Sequence, residues 1–279
     1  MSRFAVMRVV VVGKGGAGKS FITGSLARLL ALRGERVLVL DSDPMPGVGI
    51  SLGFGPIVDD MLSGAVERDD EDRWHLKRGI GPARAVTRFS KVGPDGVRLL
   101  QFGKPGADGM APIMGSLSGF TQVVRRLGDE RVLMGWNLLG DLPAGPRQTA
   151  FDWAPYADQA VIVVEPTVQS VLTARRVSRL VSERGRAKPS IVANQVRSSA
   201  DVEFVASEMG HRPVVAIPYD RAVRAAEAAG EAAVDRCPES EALGAVRHLL
   251  GYLDDEARLL TATHPRDTLR ARTKSGARP

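Results

Sequence analysis

Hydrophobic positions fall along this chain in two alternating rhythms. Residues 7–13, MRVVVVG, are an unbroken apolar run that stops at a glycine, the pattern of a strand buried on both faces. Residues 19–33 then place Ile22, Leu26, Leu29 and Leu30 three and four positions apart, which is one face of a helix, and Gly34 ends it. A second apolar run, RVLVLD at 36–41, follows. Strand, glycine loop, helix, strand is a βαβ unit, and it implies parallel pairing through a right-handed crossover. Further strands are expected at 97–102, within 132–142, and at 159–165, 190–194 and 213–218. Helical spacing covers about 113–127, 168–184, 201–209, 221–235 and 239–253. The alternation predicts an α/β fold: a doubly wound, mostly parallel sheet of about seven or eight strands, flanked by helices.

Two stretches break the rhythm. Residues 54–96 are rich in glycine and charge, with an acidic run ERDDED at 67–72 and a basic stretch at 84–91. They are expected to form an insertion or mobile loop with a little helix, inside one domain over 1–255. Residues 256–279 are expected to be a disordered, basic, polar tail. Over 264–279, Arg266, Arg270, Arg272, Lys274 and Arg278 face one acid, Asp267, and account for most of the net charge of +6. Without them the excess is small, which favours a solvated tail over a nucleic-acid surface. Cys237 is the only cysteine, so an internal disulfide and a multi-cysteine metal site are excluded and a reducing compartment fits. His75, His211, His248 and His264 show no ligand spacing. No signal-peptide pattern and no apolar run of about 20 residues is present. A cytoplasmic protein without stable membrane insertion is expected.

The chemistry concentrates in residues 13–20, GKGGAGKS. Gly13, Gly18, Lys19 and Ser20 satisfy G-x-x-x-x-G-K-[ST] between a strand and a helix, the context this phosphate-binding loop requires. The backbone N–H groups of Gly13, Gly15, Gly16, Ala17 and Gly18 can turn inward around phosphate oxygens. The helix N-terminus adds partial positive charge. Lys19 is expected to reach the β- and γ-phosphates and the Ser20 hydroxyl to ligate Mg²⁺. Asp41 and Asp43 close the second strand, where carboxylates overlie the crevice of an open α/β sheet. One can hold Mg²⁺ through water and the other can orient an attacking water. In GDLPAGPR at 140–147, Asp141 follows an apolar run as a Walker-B acid does and is expected to hold the Mg²⁺ water, while Gly145 lets the backbone follow the γ-phosphate.

Lys14 has no part in a backbone cradle. With it, KGGAGKS resembles the deviant phosphate loop of the MinD/ParA/nitrogenase-iron-protein (SIMIBI) superfamily of dimeric ATPases, over roughly residues 7–253. The resemblance implies an ATP-sandwich homodimer in which Lys14 reaches the partner's phosphates in trans and neutralises charge that grows in the transition state. It implies that Asp43, in DSDP, orients the water and that Asp41 belongs to the Mg²⁺ shell. It also places Phe21 beside the α-phosphate, where relatives often carry a hydroxyl, and places Asn194 and Pro218 against the adenine. The run at 99–127 is nearest in pattern to the CooC-like nickel-maturation ATPases but lacks their cysteines. Met110 and Met114 stand there as expected packing residues.

The resemblance thus implies a slow, Mg²⁺-dependent ATPase that binds ATP, dimerises and couples the cycle to an unidentified protein client. Two alternatives stand beside it: a ParA/MinD-like positioning ATPase acting on DNA or a membrane surface, and a nucleotide-gated binding protein with negligible turnover.

Overall fold

The structure is a computed structural model and describes residues 5–43, 47–55, 62–101, 111–127, 133–146 and 153–263. In chain order the elements are β1 (Arg8–Gly13), α1 (Lys19–Leu32), β2 (Arg36–Asp41), α2 (Val48–Ser51), β3 (Val66–Arg68), β4 (Trp74–Leu76), α3 (Pro82–Phe89), β5 (Lys91–Val92), β6 (Arg98–Gln101), α4 (Ala111–Leu127), β7 (Trp136–Asp141), β8 (Gln159–Val164), α5 (Val168–Arg184), β9 (Lys188–Val196), α6 (Ser199–Met209), β10 (Val215–Pro218), α7 (Arg221–Ala228), α8 (Ala233–Arg236) and α9 (Glu241–Thr263).

Eight strands form one sheet in the order β10-β9-β8-β1-β7-β2-β6-β5. The pairings are parallel until β5, which adds antiparallel to the edge strand β6. The alternation of side chains along a strand sorts the core into two layers. Val9 and Val11 pack with α1 and α9, beside Val37, Val39, Leu139 and Val163. Val10 and Val12 pack with α4 and α5, beside Leu38, Leu40, Leu138 and Ile162. This is why the β1 run is continuously apolar: both of its faces are covered.

α1 is buried almost all round. Beyond the apolar face expected of it, Thr23, Ser25 and Arg28 are also buried, whereas Leu29 is only half-buried. Arg28 has a satisfied environment. Its guanidinium donates to Asp95 at 2.8 Å, to Asp235 at 2.7 and 2.9 Å, and to the Leu52 carbonyl at 3.1 Å. One cation thereby ties α1 to the end of α2, to the turn before β6, and to α8.

Several boundaries differ from the sequence expectation. Residues 62–96 contain a β3–β4 hairpin with the acidic run at its turn, then α3 and β5. The hairpin lies on α4, where Gly115 meets the Trp74 ring and Gly119 meets Val66. The stretch expected as one helix over 221–235 divides into α7 and α8, because Gly230 takes a left-handed conformation at φ 72°. α9 continues to Thr263, past the end expected near 253 and into the stretch expected as disordered tail. Leu253 and Ala257 are buried on its inner face, and Glu256 pairs with Lys188 at 2.6 Å, so packing carries the helix on. Met114, expected to pack, is 50% exposed on α4. Met110, His264 and the tail arginines lie outside the described residues.

Replacing Arg28 by methionine is expected to destabilise the fold by about 3 kcal/mol, because two carboxylates and a carbonyl lose one shared donor. Lysine, a point charge without the planar fork, should recover only part of this. Urea unfolding of the three proteins measures both effects.

Candidate nucleotide site

β1 delivers Gly13 to the C-terminal edge of the sheet, and α1 starts six residues later. Between them the loop folds on itself, with the Ala17 amide donating to the Lys14 carbonyl at 3.3 Å. Gly13 lies so close to β8 that a Cβ there would stand 2.6 Å from the Val163 carbonyl oxygen. Gly18 caps α1 in a left-handed conformation, φ 93°, and a Cβ on it would run into the Asn194 side chain. Without a side chain, Gly18 leaves the amides of the first turn facing outward for an anion.

The charged groups around this loop have distinct settings. Lys19 is 8% exposed, and its Nζ donates to the Lys14 carbonyl at 3.3 Å, a position that spans the loop. Ser20 Oγ donates to Asp141 Oδ2 at 2.6 Å. Asp141 Oδ1 is buried and has no hydrogen-bond partner in the described structure. Burial raises the Asp141 carboxyl to about 6, against the opposing pull of the Ser20 hydroxyl and the Lys19 charge. Asp41 lies directly beside Asp141 in register, and burial, then repulsion from Asp141, pushes its carboxyl well above the usual range.

These features fit a divalent cation carried on phosphates. No cluster of three or more His, Cys, Asp or Glu that could hold a metal occurs among the described residues, so those residues alone form no self-sufficient cage. Mg²⁺ commonly takes one or two protein oxygens and completes its shell with phosphate and water. Ser20 and the unpartnered oxygen of Asp141 are such a pair. Asp41, expected in the Mg²⁺ shell, instead has both oxygens engaged by the chain: Oδ1 accepts the Asp43 amide at 3.0 Å and Oδ2 accepts Gln101 Nε2 at 2.9 Å. Asp43 itself is half-buried, two residues past the end of β2.

Lys14 points away from the cradle. Its Nζ is 3.8 Å from Glu165 Oε2, with 34% of its side chain exposed. Gln195 braces this corner, donating to the Gly16 carbonyl and to Glu165 Oε1, each at 3.2 Å. Neither Glu165 nor Gln195 stood out in the sequence. The reason is local: β9 and β10 lose register between Ile217 and Pro218, and Gln195 sits opposite that break at φ 59°. A bulge of this kind re-aims a side chain, and no motif announces it.

Asn194 Nδ2 donates to the Ala17 carbonyl at 2.7 Å, so this side chain supports the phosphate loop from beneath. It also lines a cavity of about 240 Å³ that opens from the loop, with Lys19, Phe21, Pro218, Tyr219 and Glu227 among its walls. Phe21 is 5% exposed and belongs to the core as well. The Tyr219 ring is covered by the Arg197 guanidinium at 4.6 Å. The cavity has a cationic end at the loop and, at β10 and α7, an end where Pro218, Tyr219 and Val223 stand among Asp220, Arg224 and Glu227, a mix that can take a phosphate group joined to an aromatic base. Gly145 links the far side, its amide donating to the Gly13 carbonyl at 3.1 Å.

A glycine-rich loop between the central strand and a buried helix, with paired acids at the adjacent strand ends, defines a phosphate-loop nucleotide-binding domain. Residues 9–234 match the CobQ/CobB/MinD/ParA nucleotide binding domain, and the chain belongs to that family. It is 27% identical over 242 residues to an uncharacterized ATP-binding protein of Methanocaldococcus jannaschii, covering 81% of this chain and 90% of that protein. It is also 27% identical over 253 residues to the carbon monoxide dehydrogenase accessory protein CooC of Rhodospirillum rubrum, covering 83% and 91%. Among solved structures, the septum site-determining protein MinD of Pyrococcus horikoshii, complexed with Mg-ADP, superposes with a TM-score of 0.65 at 22% identity, over 90% of this chain and 97% of that one.

The raised Asp141 carboxyl has a consequence for stability. Unfolded, the group ionises near 3.8; folded, near 6. The folded state therefore holds the extra proton, and stability is lost as pH rises through that interval. Asp141→Asn is expected to stabilise the ligand-free protein at pH 7.5 by up to about 3 kcal/mol and to lessen the fall of its melting temperature between pH 4 and 6, the part due to Asp41 remaining. The same variant should lose the additional Mg²⁺-dependent thermal shift given by ATP, which separates the two effects in one melting series.

Proposed function

We propose that this protein is an ATP-hydrolysing switch that dimerises around ATP and Mg²⁺ and releases its partner on hydrolysis. The observation that carries this reading is the division of labour between two lysines. Lys19 lies across its own loop, whereas Lys14 leaves the loop and rests on Glu165 at the surface. A partly exposed ion pair of this length is worth little, on the order of 1 kcal/mol or less. Lys14 can therefore exchange Glu165 for a stronger anion, and phosphates presented by a second copy are such an anion. In the dimer Lys14 acts in trans on the γ-phosphate.

The remaining roles follow from the site. Lys19 and the loop amides hold the β- and γ-phosphates. Ser20 and Asp141 hold Mg²⁺, which when bound neutralises charge on the phosphate oxygens. Asp43 orients the attacking water. Gly145, bonded to the loop through its amide, senses whether the γ-phosphate is present and passes that to the chain beyond it. Phe21, Asn194 and Pro218 form the side of the cavity that receives the adenine. The similarity to an accessory protein of carbon monoxide dehydrogenase supports a protein client. The chain's one cysteine, Cys237, follows α8 and is half-buried; a single thiol does not reproduce a paired-thiolate metal carrier. Among the described residues no helix is long and apolar enough to cross a membrane.

A nucleotide-gated binder with negligible turnover is the second reading, and one observation favours it: a buried phenylalanine stands where relatives often place a hydroxyl. Phosphate release from the wild-type protein at saturating ATP separates the two, since a binder would show no turnover above background.

Light scattering tests the dimer. Asp43→Ala, which should trap ATP, is expected to be dimeric with ATP and Mg²⁺ and monomeric with ADP and Mg²⁺. Adding Lys14→Ala should return it to a monomer with ATP, while ATP affinity changes little. A monomer in every state would overturn the sandwich and leave Lys14 a local loop charge.

A further inference from the structure

Three residues stand side by side where the sheet ends below the nucleotide site. Gln101 closes β6, Asp41 closes β2 and Asp141 closes β7, and the three are in register. All are buried: Gln101 is 3% exposed, Asp41 0% and Asp141 2%. A carboxylate in that position is costly unless donors come to it. Asp41 receives one on each oxygen, the Gln101 side-chain amide on Oδ2 and the Asp43 backbone amide on Oδ1. The second of these bonds closes an Asx turn over residues 41–43. The first decides how the carboxylate plane is held.

We propose that Gln101 is a positioning residue for Asp43. The amide of Gln101 fixes the orientation of Asp41; Asp41 in turn fixes the Asp43 backbone, and with it the place from which the Asp43 carboxylate acts. The proposal rests on the reading of Asp43 as the residue that orients water, and it adds a residue that no phosphate-loop pattern contains. Chemistry and length both matter at 101. Glutamine brings a neutral donor across one strand spacing of about 4.8 Å. Glutamate would place a third carboxyl in the row, and asparagine is one methylene short. Methionine keeps the volume and removes the donor.

A role confined to satisfying a buried acid would change stability alone. A positioning role changes the turn and the chemical step while leaving nucleotide affinity in place. The test uses the full chain with Gln101→Met and Gln101→Asn. In the nucleotide-free protein, amide hydrogen exchange at Asp43 should speed up at least tenfold in both variants, with the Val39 amide inside β2 unchanged. Affinity for a non-hydrolysable ATP analogue should stay within about threefold. The kcat for phosphate release should fall about 10- to 100-fold with KM nearly constant, the size of effect that small misplacement of a reacting group produces.

Unchanged exchange at Asp43 in a folded variant would overturn the proposal, as would a rise in KM with kcat retained. If methionine does not fold, asparagine, which keeps a polar group in place, decides. If both variants fail to fold or lose analogue binding, Gln101 is structural and the proposal fails. A wild-type chain that binds ATP without turnover would sink the ATPase reading alone, and the Asp43 exchange rate would still decide whether Gln101 sets that turn.

Discussion

Two carboxylates, Asp41 and Asp141, are held buried and side by side at the C-terminal end of adjacent parallel strands, and much of the site is arranged around them. Burial penalises their ionised forms, and their mutual repulsion adds to the penalty. The surrounding chain answers with directed donors: Gln101 and the Asp43 amide on Asp41, Ser20 on Asp141. One oxygen of Asp141 remains unpartnered. That deficit is what a cation on a nucleotide would relieve, so the site stores a preference for its ligand as a cost in the ligand-free state. Stability given up at a binding site in this way is common where function needs an unsatisfied group.

The phosphate loop is rigid for a different reason. A chain with this much glycine would be mobile if left alone, but here it is braced from three directions. Asn194 holds the Ala17 carbonyl from β9, Gln195 holds the Gly16 carbonyl from the bulge that follows, and the Gly145 amide holds the Gly13 carbonyl from the turn after β7. Each brace takes a carbonyl and leaves loop amides to face the cavity. The cradle is thus preorganised for anions by bonds made before any ligand arrives. The braces come from segments distant in the chain, β9 on one side and the turn after β7 on the other.

Lys14 is the exception to this rigidity. Its contact with Glu165 is long, 3.8 Å, and partly exposed, in contrast to the short bonds made by the buried Arg28. A loosely held cation beside a firmly held loop suits a group that changes partners during a cycle. Arg28 sits at the opposite extreme, joining α1, α2, the β6 approach and α8 so that the helix carrying Lys19 and Ser20 does not shift.

Much was legible in the sequence by itself. Unbroken apolar runs alternating with helical spacing determined a parallel, two-layered α/β sheet, because only strands covered on both faces tolerate such runs. The spacing of Gly13, Gly18, Lys19 and Ser20 after one of those runs marked the phosphate loop, and Asp41 and Asp141 at the ends of apolar runs marked its acids, since strand ends are where such a sheet opens to ligand. Tertiary structure decided what depends on neighbours distant in the chain. Gln101 and Asp41 are 60 residues apart, and Arg28 and Asp235 are 207 apart; neither pair has a spacing that could reveal it. Gln195 became a brace only because β9 and β10 slip register opposite it. α9 ran past its expected end because Ala257 found a core to enter. Local pattern fixes elements and short motifs through backbone geometry, whereas partners for buried charge are assigned only when the sheet brings its strand ends together.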